Sequence, residues 1–211
     1  MDLLSAHKLR RLYNFRNRLR LKNHDFSLIA SNCVGGCILH DLGLPFNSPF
    51  VNVYLMPSDF LRFCERMGHY LDEDLGFTRM DGINYPLGVL DDIMLHFMHY
   101  SSEQETKDAW DRRKERINMD NLFVMFTDRD GCTHDDLLRF DRLNLRNKVV
   151  FTHVEHKDIA SAFYIPGFEN EGSVGQLMDF RSRFSYKKYY DAFDYVSWFN
   201  GDLTVNDASF D

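Results

Sequence analysis

Cys33 stands in the run Ser31-Asn32-Cys33-Val34-Gly35-Gly36-Cys37-Ile38-Leu39-His40-Asp41-Leu42-Gly43, and a thiol placed this way is a natural nucleophile for acyl chemistry. The run follows Phe26-Ser27-Leu28-Ile29-Ala30, an apolar stretch of strand length. It then turns helical, with Ile38, Leu39 and Leu42 on one face. Gly43 suits the left-handed end of such a helix. Strand, tight turn and helix put Cys33 near a helix N-terminus, where partial positive charge favours a thiolate and lowers a cysteine pKa from its free value of about 8.5. Gly35 and Gly36 leave backbone N–H groups open to an oxyanion or a phosphate. Cys33 as nucleophile needs a base, which His96 or His99 supplies, and an acid to orient it, which Asp92 or Asp128 supplies. The chemistry these residues spell is acyl transfer.

A second set of residues points to a phosphate-bearing ligand, either a sugar nucleotide or an acyl-CoA donor. Arg112, Arg113 and Arg129 are the cations for it, together with the helix start at Gly35. Asp128-Arg129-Asp130 either holds a divalent cation on that ligand or forms a turn before Gly131. Asn32, His40 and Asp41 flank the thiol and are assigned to the substrate. His40 is not a base for Cys33: seven residues of helix separate the two by about 10 Å along the axis. The same separation keeps Cys33, Cys37 and His40 from one zinc ion, whose ligands lie within about 4 Å of each other. No resident metal is assigned.

The elements that position these groups read as α/β. The chain has 211 residues, 44% hydrophobic and 27% charged, as in an ordinary globular protein. A net charge of −7 argues against nucleic acid as the main partner. The four cysteines have no disulfide-scaffold spacing and read as reduced thiols, which, with no signal peptide or membrane span in view, suggests the cytoplasm. Residues 1–24 read as a basic amphipathic helix, with Leu12, Phe15 and Leu19 on one stripe among seven lysines and arginines. Such a helix either packs across the domain with a solvated basic face or makes peripheral contact with a membrane through residues 3–22. Residues 25–200 read as one α/β domain and 201–211 as a flexible tail.

Within that domain, strands are expected at Phe50–Met56, Asp91–Tyr100, Leu122–Thr127, Lys148–Thr152 and Ala160–Ile165. Helices are expected from Pro57 to Leu71, from Ser102, which has capping-box spacing with Glu105, to Ile117, and around Asp135–Phe140. An aromatic helix is expected at Tyr186–Phe199. Alternation of strands and helices argues a three-layer α/β/α fold with a mostly parallel central sheet. A regular strand at 91–100 would put His96 and His99 on opposite faces.

Several blocks in fixed order resemble the domain-of-unknown-function 1919 family. They include Ser31-Asn32-Cys33 with Gly35-Gly36, His40-Asp41-Leu42-Gly43, Tyr85-Pro86-Leu87-Gly88 and His96-Phe97-Met98-His99-Tyr100. Trp110-Asp111-Arg112-Arg113, Phe126-Thr127-Asp128-Arg129-Asp130 and Asn147-Lys148-Val149-Val150-Phe151-Thr152 complete the set. The resemblance implies an α/β fold and a place in bacterial exopolysaccharide or capsule biosynthesis, with a sugar or polysaccharide precursor as partner. In that setting the chain is expected to be either a transferase acting on a sugar through Cys33 or a non-catalytic, sugar-nucleotide-binding accessory of an assembly complex.

Overall fold

The computed structural model describes residues 3–205, with side chains from residue 6 onward. Helix α1 (Leu3–Arg20) leads into strand β1 (Ser27–Ala30) and helix α2 (Val34–Leu42). Gly43 ends α2 in the left-handed region at φ 70°, its N–H on the His40 and Leu39 carbonyls. The expected strand at 50–56 is absent as a named strand: Asn52 takes φ 60° and only Tyr54 bridges to His96. Helices α3 (Pro57–Glu65) and α4 (Met67–Asp72) replace the single helix expected there, with Arg66 at φ −127° breaking the run.

Strands β2 (Gly76–Thr78), β3 (Leu87–Leu90) and β4 (Ile93–His96) form a small antiparallel sheet, order β2-β3-β4. The long strand expected at 91–100 is split because Asp91, at φ 51°, turns the chain between β3 and β4. Helix α5 (Glu103–Lys114) starts at Ser102, whose side chain accepts the Glu105 N–H. Strand β5 (Leu122–Thr127), helix α6 (His134–Asp141), β6 (Asn147–Thr152) and β7 (Ala162–Tyr164) follow. In place of the aromatic helix expected at 186–199 stand a short 3-10 turn at Tyr189–Ala192 and helix α7 (Tyr195–Phe199). Of the tail expected at 201–211, residues 206–211 lie outside the described residues.

The central sheet is parallel, order β1-β5-β6-β7, and its residues alternate between two apolar layers. Leu28, Ala30, Phe123, Met125, Val149 and Phe151 pack against Val34, Ile38 and Leu42 of α2 and against Tyr195, Trp198 and Phe199 of α7. Ile29, Val124, Phe126 and Val150 pack the other way, against Phe60 and Phe63 of α3, Trp110 of α5, Phe140 of α6 and the small sheet. This is the period of two that a sheet covered on both faces requires. Gly35 lets α2 lie close on β1: a Cβ there would sit 2.7 Å from the Ala30 Cβ.

Helix α1 packs against α2 with its polar side inward. Arg10 is buried, paired with Asp41 of α2 and Asp191, with the Tyr190 hydroxyl at 2.9 Å. Asn17 donates to the Tyr195 hydroxyl at 3.1 Å. The polar side of α1 therefore faces the body, and the stripe of Leu12, Phe15 and Leu19 faces out, at 55, 56 and 71% exposure. Helix α1 thus packs on the body through polar pairing and not through the apolar stripe. No helix among the described residues is long and apolar enough to cross a membrane.

Candidate functional site

The site follows from where the chain goes after two neighbouring strands. After β1 it enters α2 on one face of the sheet; after β5 it enters α6 on the other. Adjacent parallel strands whose following segments part in this way leave a crevice at their carboxyl ends, where α/β proteins bind ligands. Here the crevice is a cleft of about 460 Å³ walled by Asn32, Cys33, Tyr54, Met98, His99, Arg129, Asp130, Gln176 and Met178.

Asn32 ties the two strand ends together. Its amide nitrogen donates to the Thr127 hydroxyl at 2.9 Å, and its oxygen accepts the Val34 N–H at 3.1 Å, which caps the start of α2. Cys33 has helical dihedrals, φ −65° and ψ −7°, and the first intrahelical bond runs from Cys37 N–H to its carbonyl. The amides of Gly35 and Gly36 precede that bond and belong to the open first turn. The thiol is half-buried. Burial pushes its pKa up, Cys37 adds to the rise, and Arg129 opposes both. The lowering expected from the helix start is thus reversed: desolvation of a thiolate in this wall outweighs the favourable charges.

The other residues singled out from the sequence part company. His99, Arg129 and Asp130 line the cleft with Cys33 and Asn32. Arg129 donates to the Gly175 carbonyl at 3.2 Å, and Asp130, at φ 58°, turns the chain into Gly131. His96 stands behind this wall: its ring stacks on Tyr54 at 4.3 Å and its Nδ1 lies 3.1 Å from the Tyr85 hydroxyl. Burial lowers the His96 pKa, against the pull of Asp59 and Asp130, and burial with the Tyr85 bond pushes Tyr54 up to about 12. Because β4 ends at His96, the turn beyond it, and not the strand period, delivers His99 to the cleft.

Neither acid proposed to orient a histidine of this pair does so. Asp92 accepts from Tyr70 at 2.5 Å and from Arg62 at 2.8 Å. Asp128 accepts the Val174 N–H and both the backbone and ring Nδ1 of His153. His40 projects into solvent from the far end of α2, its side chain 82% exposed. Asp41 is committed to Arg10 and Tyr190. Burial works against its carboxylate, yet those hydrogen bonds hold its pKa below the usual range. On α5, Arg112 is exposed and Arg113 bonds the Tyr100 hydroxyl and covers the Phe46 ring at 5.6 Å. Neither lines the cleft.

Sequence reasoning missed Tyr54, Gln176 and His153. The last had a signal: it follows β6 immediately, as Asp128 follows β5, and the carboxyl-end rule applies equally to both. Tyr54 and Gln176 come from irregular segments with no local pattern. Among the described residues no group of three or more histidines, cysteines and acids is placed to hold a metal ion.

A family model described as a domain of unknown function, DUF1919, matches residues 5–200. A protein of Haemophilus influenzae, named only as uncharacterized, is 51% identical over 181 residues, covering 86% of this chain and 87% of its own length. With its α/β sheet, its cleft at the carboxyl ends of β1 and β5 and this match, the chain belongs to the DUF1919 family.

Proposed function

We propose that the cleft is a transferase site for a sugar substrate, with Cys33 carrying an acyl group from a thioester donor to a sugar hydroxyl. The observation that carries this reading is that Cys33, His99 and Arg129 wall one cleft. The remaining walls suit a sugar: Asn32, Gln176 and Asp130 offer paired hydrogen-bonding atoms to hydroxyls, and the Tyr54 ring offers a flat apolar face. A thiol whose pKa is raised by burial is mostly protonated near neutrality, so the reaction needs a base in the same cleft. His99 fills that role.

In the first half, His99 takes the Cys33 proton, the sulfur attacks the donor carbonyl, and the donor thiol departs with that proton. In the second, His99 deprotonates a sugar hydroxyl, whose oxygen attacks the acyl-cysteine carbonyl; the C–S bond breaks, and the Cys33 sulfur takes back the proton from His99. The amides of Gly35 and Gly36 are the oxyanion donors, and Arg129 is the cation for phosphate groups of the donor. The resemblance in the family blocks supports placing this chemistry in surface polysaccharide biosynthesis.

One observation favours a second reading, a non-catalytic protein that binds a sugar nucleotide in the same cleft: the raised thiol pKa. The acyl content of surface polysaccharide, compared between cells carrying the wild-type protein and cells carrying folded Cys33→Ser, separates the two. Loss of acyl groups supports transfer. Unchanged composition overturns it and leaves the binding reading.

A further inference from the structure

Helix α1 contains no aspartate or glutamate, although the chain as a whole carries a net charge of −7. Successive helical residues turn by about 100°, so Lys8, Leu12, Phe15 and Leu19 share an arc of about 60°. Ala6, Arg10, Tyr13 and Asn17 occupy the opposite side. The structure turns that second side inward: Ala6, Arg10 and Asn17 are buried, while all four residues of the first arc are exposed. Basic residues border the apolar centre, Arg11 on one flank and Arg16 on the other, both exposed.

An ordinary surface helix shows the reverse, with its apolar stripe on the core and its charges in water. Nor is the outward face an accident of a loose helix. Arg10 binds Asp41 and Asp191, Arg18 donates to the Asp41 carbonyl at 3.0 Å, and Arg20 pairs with Asp194. These bonds fix the rotation of α1 about its own axis. By contrast, no ion pair or side-chain hydrogen bond engages Lys8, Arg11 or Arg16 among the described residues.

The segment beside α1 extends the same character. Phe180 meets the His7 ring, Tyr186 meets the Tyr13 ring, and between them Arg183 and Phe184 are exposed, Phe184 at 61%. Lys187 joins Leu9, Leu12 and Arg16 along a groove at the foot of the helix.

We propose that this face is a preformed docking surface for an anionic lipid bilayer, with Leu12, Phe15, Leu19 and Phe184 entering the headgroup boundary and Lys8, Arg11 and Arg16 reaching the lipid phosphates. Charge selects the occupant. An apolar centre bordered by cations that have no ion pair among the described residues, on a helix without acids, matches an interfacial helix on anionic lipid. A second copy of this chain would instead set these cations against their own kind across a two-fold axis.

The full chain is tested by co-sedimentation with vesicles of phosphatidylcholine alone and of phosphatidylcholine with about one-third phosphatidylglycerol. The expected result is binding to the anionic vesicles only, released by salt at about 0.5 M. Charge reversal in Lys8→Glu/Arg11→Glu/Arg16→Glu is expected to weaken partitioning by about a hundredfold or more. Leu12→Ser/Phe15→Ser/Leu19→Ser, whose side chains are exposed and whose fold is checked by circular dichroism, is expected to abolish stable insertion. Failure to bind anionic vesicles overturns the proposal. So does a solution dimer that the serine variant dissociates, because a second copy then covers the face.

Discussion

Asp128 and His153 stand at the carboxyl ends of adjacent parallel strands, and one carboxylate oxygen receives both the His153 backbone N–H, at 2.8 Å, and its ring Nδ1, at 2.6 Å. The other oxygen accepts the Val174 N–H at 2.7 Å. One buried acid thus ties the β5 turn, the β6 turn and the loop that carries Gln176 into the cleft. Asp128→Ala leaves these donors unpaired in a nearly dry setting, with an expected loss of about 3 kcal/mol in urea denaturation. Arg129 and Gln176 are expected to lose their positions with it. Ligand affinity should therefore fall in Asp128→Ala even under conditions where the variant is folded.

Arg10 faces a comparable test. It compensates Asp41 and Asp191, both buried. Arg10→Met removes the shared cation and is expected to cost about 3–5 kcal/mol. Adding Asp41→Asn should recover part of that loss, since one stranded charge disappears. Chemical denaturation of the single and double variants measures the coupling.

Gly35 is where α2 comes down on β1. Gly35→Ala would drive a methyl into Ala30 at 2.7 Å, and overpacking of this kind costs about 1–3 kcal/mol. Because Cys33 begins the same helix, its rate of alkylation should change as well. Gly36→Ala is the control: a Cβ there meets Val51 only at 3.8 Å, and stability should hold or rise by up to about 1 kcal/mol, because alanine is the better helix former.

Stability should fall on the acid side of neutrality. Burial depresses the His96 pKa, and burial with the neighbouring His134 depresses that of His156. The unfolded chain, with histidines near 6.5, binds these protons more readily than the folded one. Their contribution is complete above about pH 6.5 and is lost as the pH falls toward the folded values. His96→Gln should flatten the slope of stability against pH on the acid side of about 6.5, as denaturation curves taken along that limb will measure.

Much of the scaffold was legible because it is local. β5 and β6 are continuous apolar runs bounded by polar turns, and Ser102 caps α5 through Glu105 as its spacing implied. Cys33, Asn32, Arg129 and Asp130 share a cleft because each follows a strand whose end the pattern marked. What escaped depends on distant partners. Asp41 sits in a motif beside the thiol, but its partners Arg10 and Tyr190 lie 31 and 149 residues away and turn it from the cleft. The same pairing decides which side of α1 faces water, a choice that helical periodicity leaves open. Asp91 and Asn52, both at positive φ, interrupt stretches whose composition reads as strand.

Thiol reactivity reports the electrostatics directly. Burial raises the Cys33 pKa and Arg129 holds it partly down. Alkylation by iodoacetamide should therefore be slow at neutral pH and climb at higher pH than the value of about 8.5 for a free thiol. Arg129→Gln should move the profile further toward alkaline pH.

The central claim is that Cys33 accepts an acyl group with His99 as its base, and intact-protein mass spectrometry after incubation with acetyl-CoA tests it most directly. The expected result is one acetyl adduct, mapped to Cys33, absent in Cys33→Ser, retained in Cys37→Ser and formed at least about tenfold more slowly in His99→Gln. A folded wild-type protein that acquires no adduct across the alkaline range, or acquires it equally in Cys33→Ser, contradicts the claim.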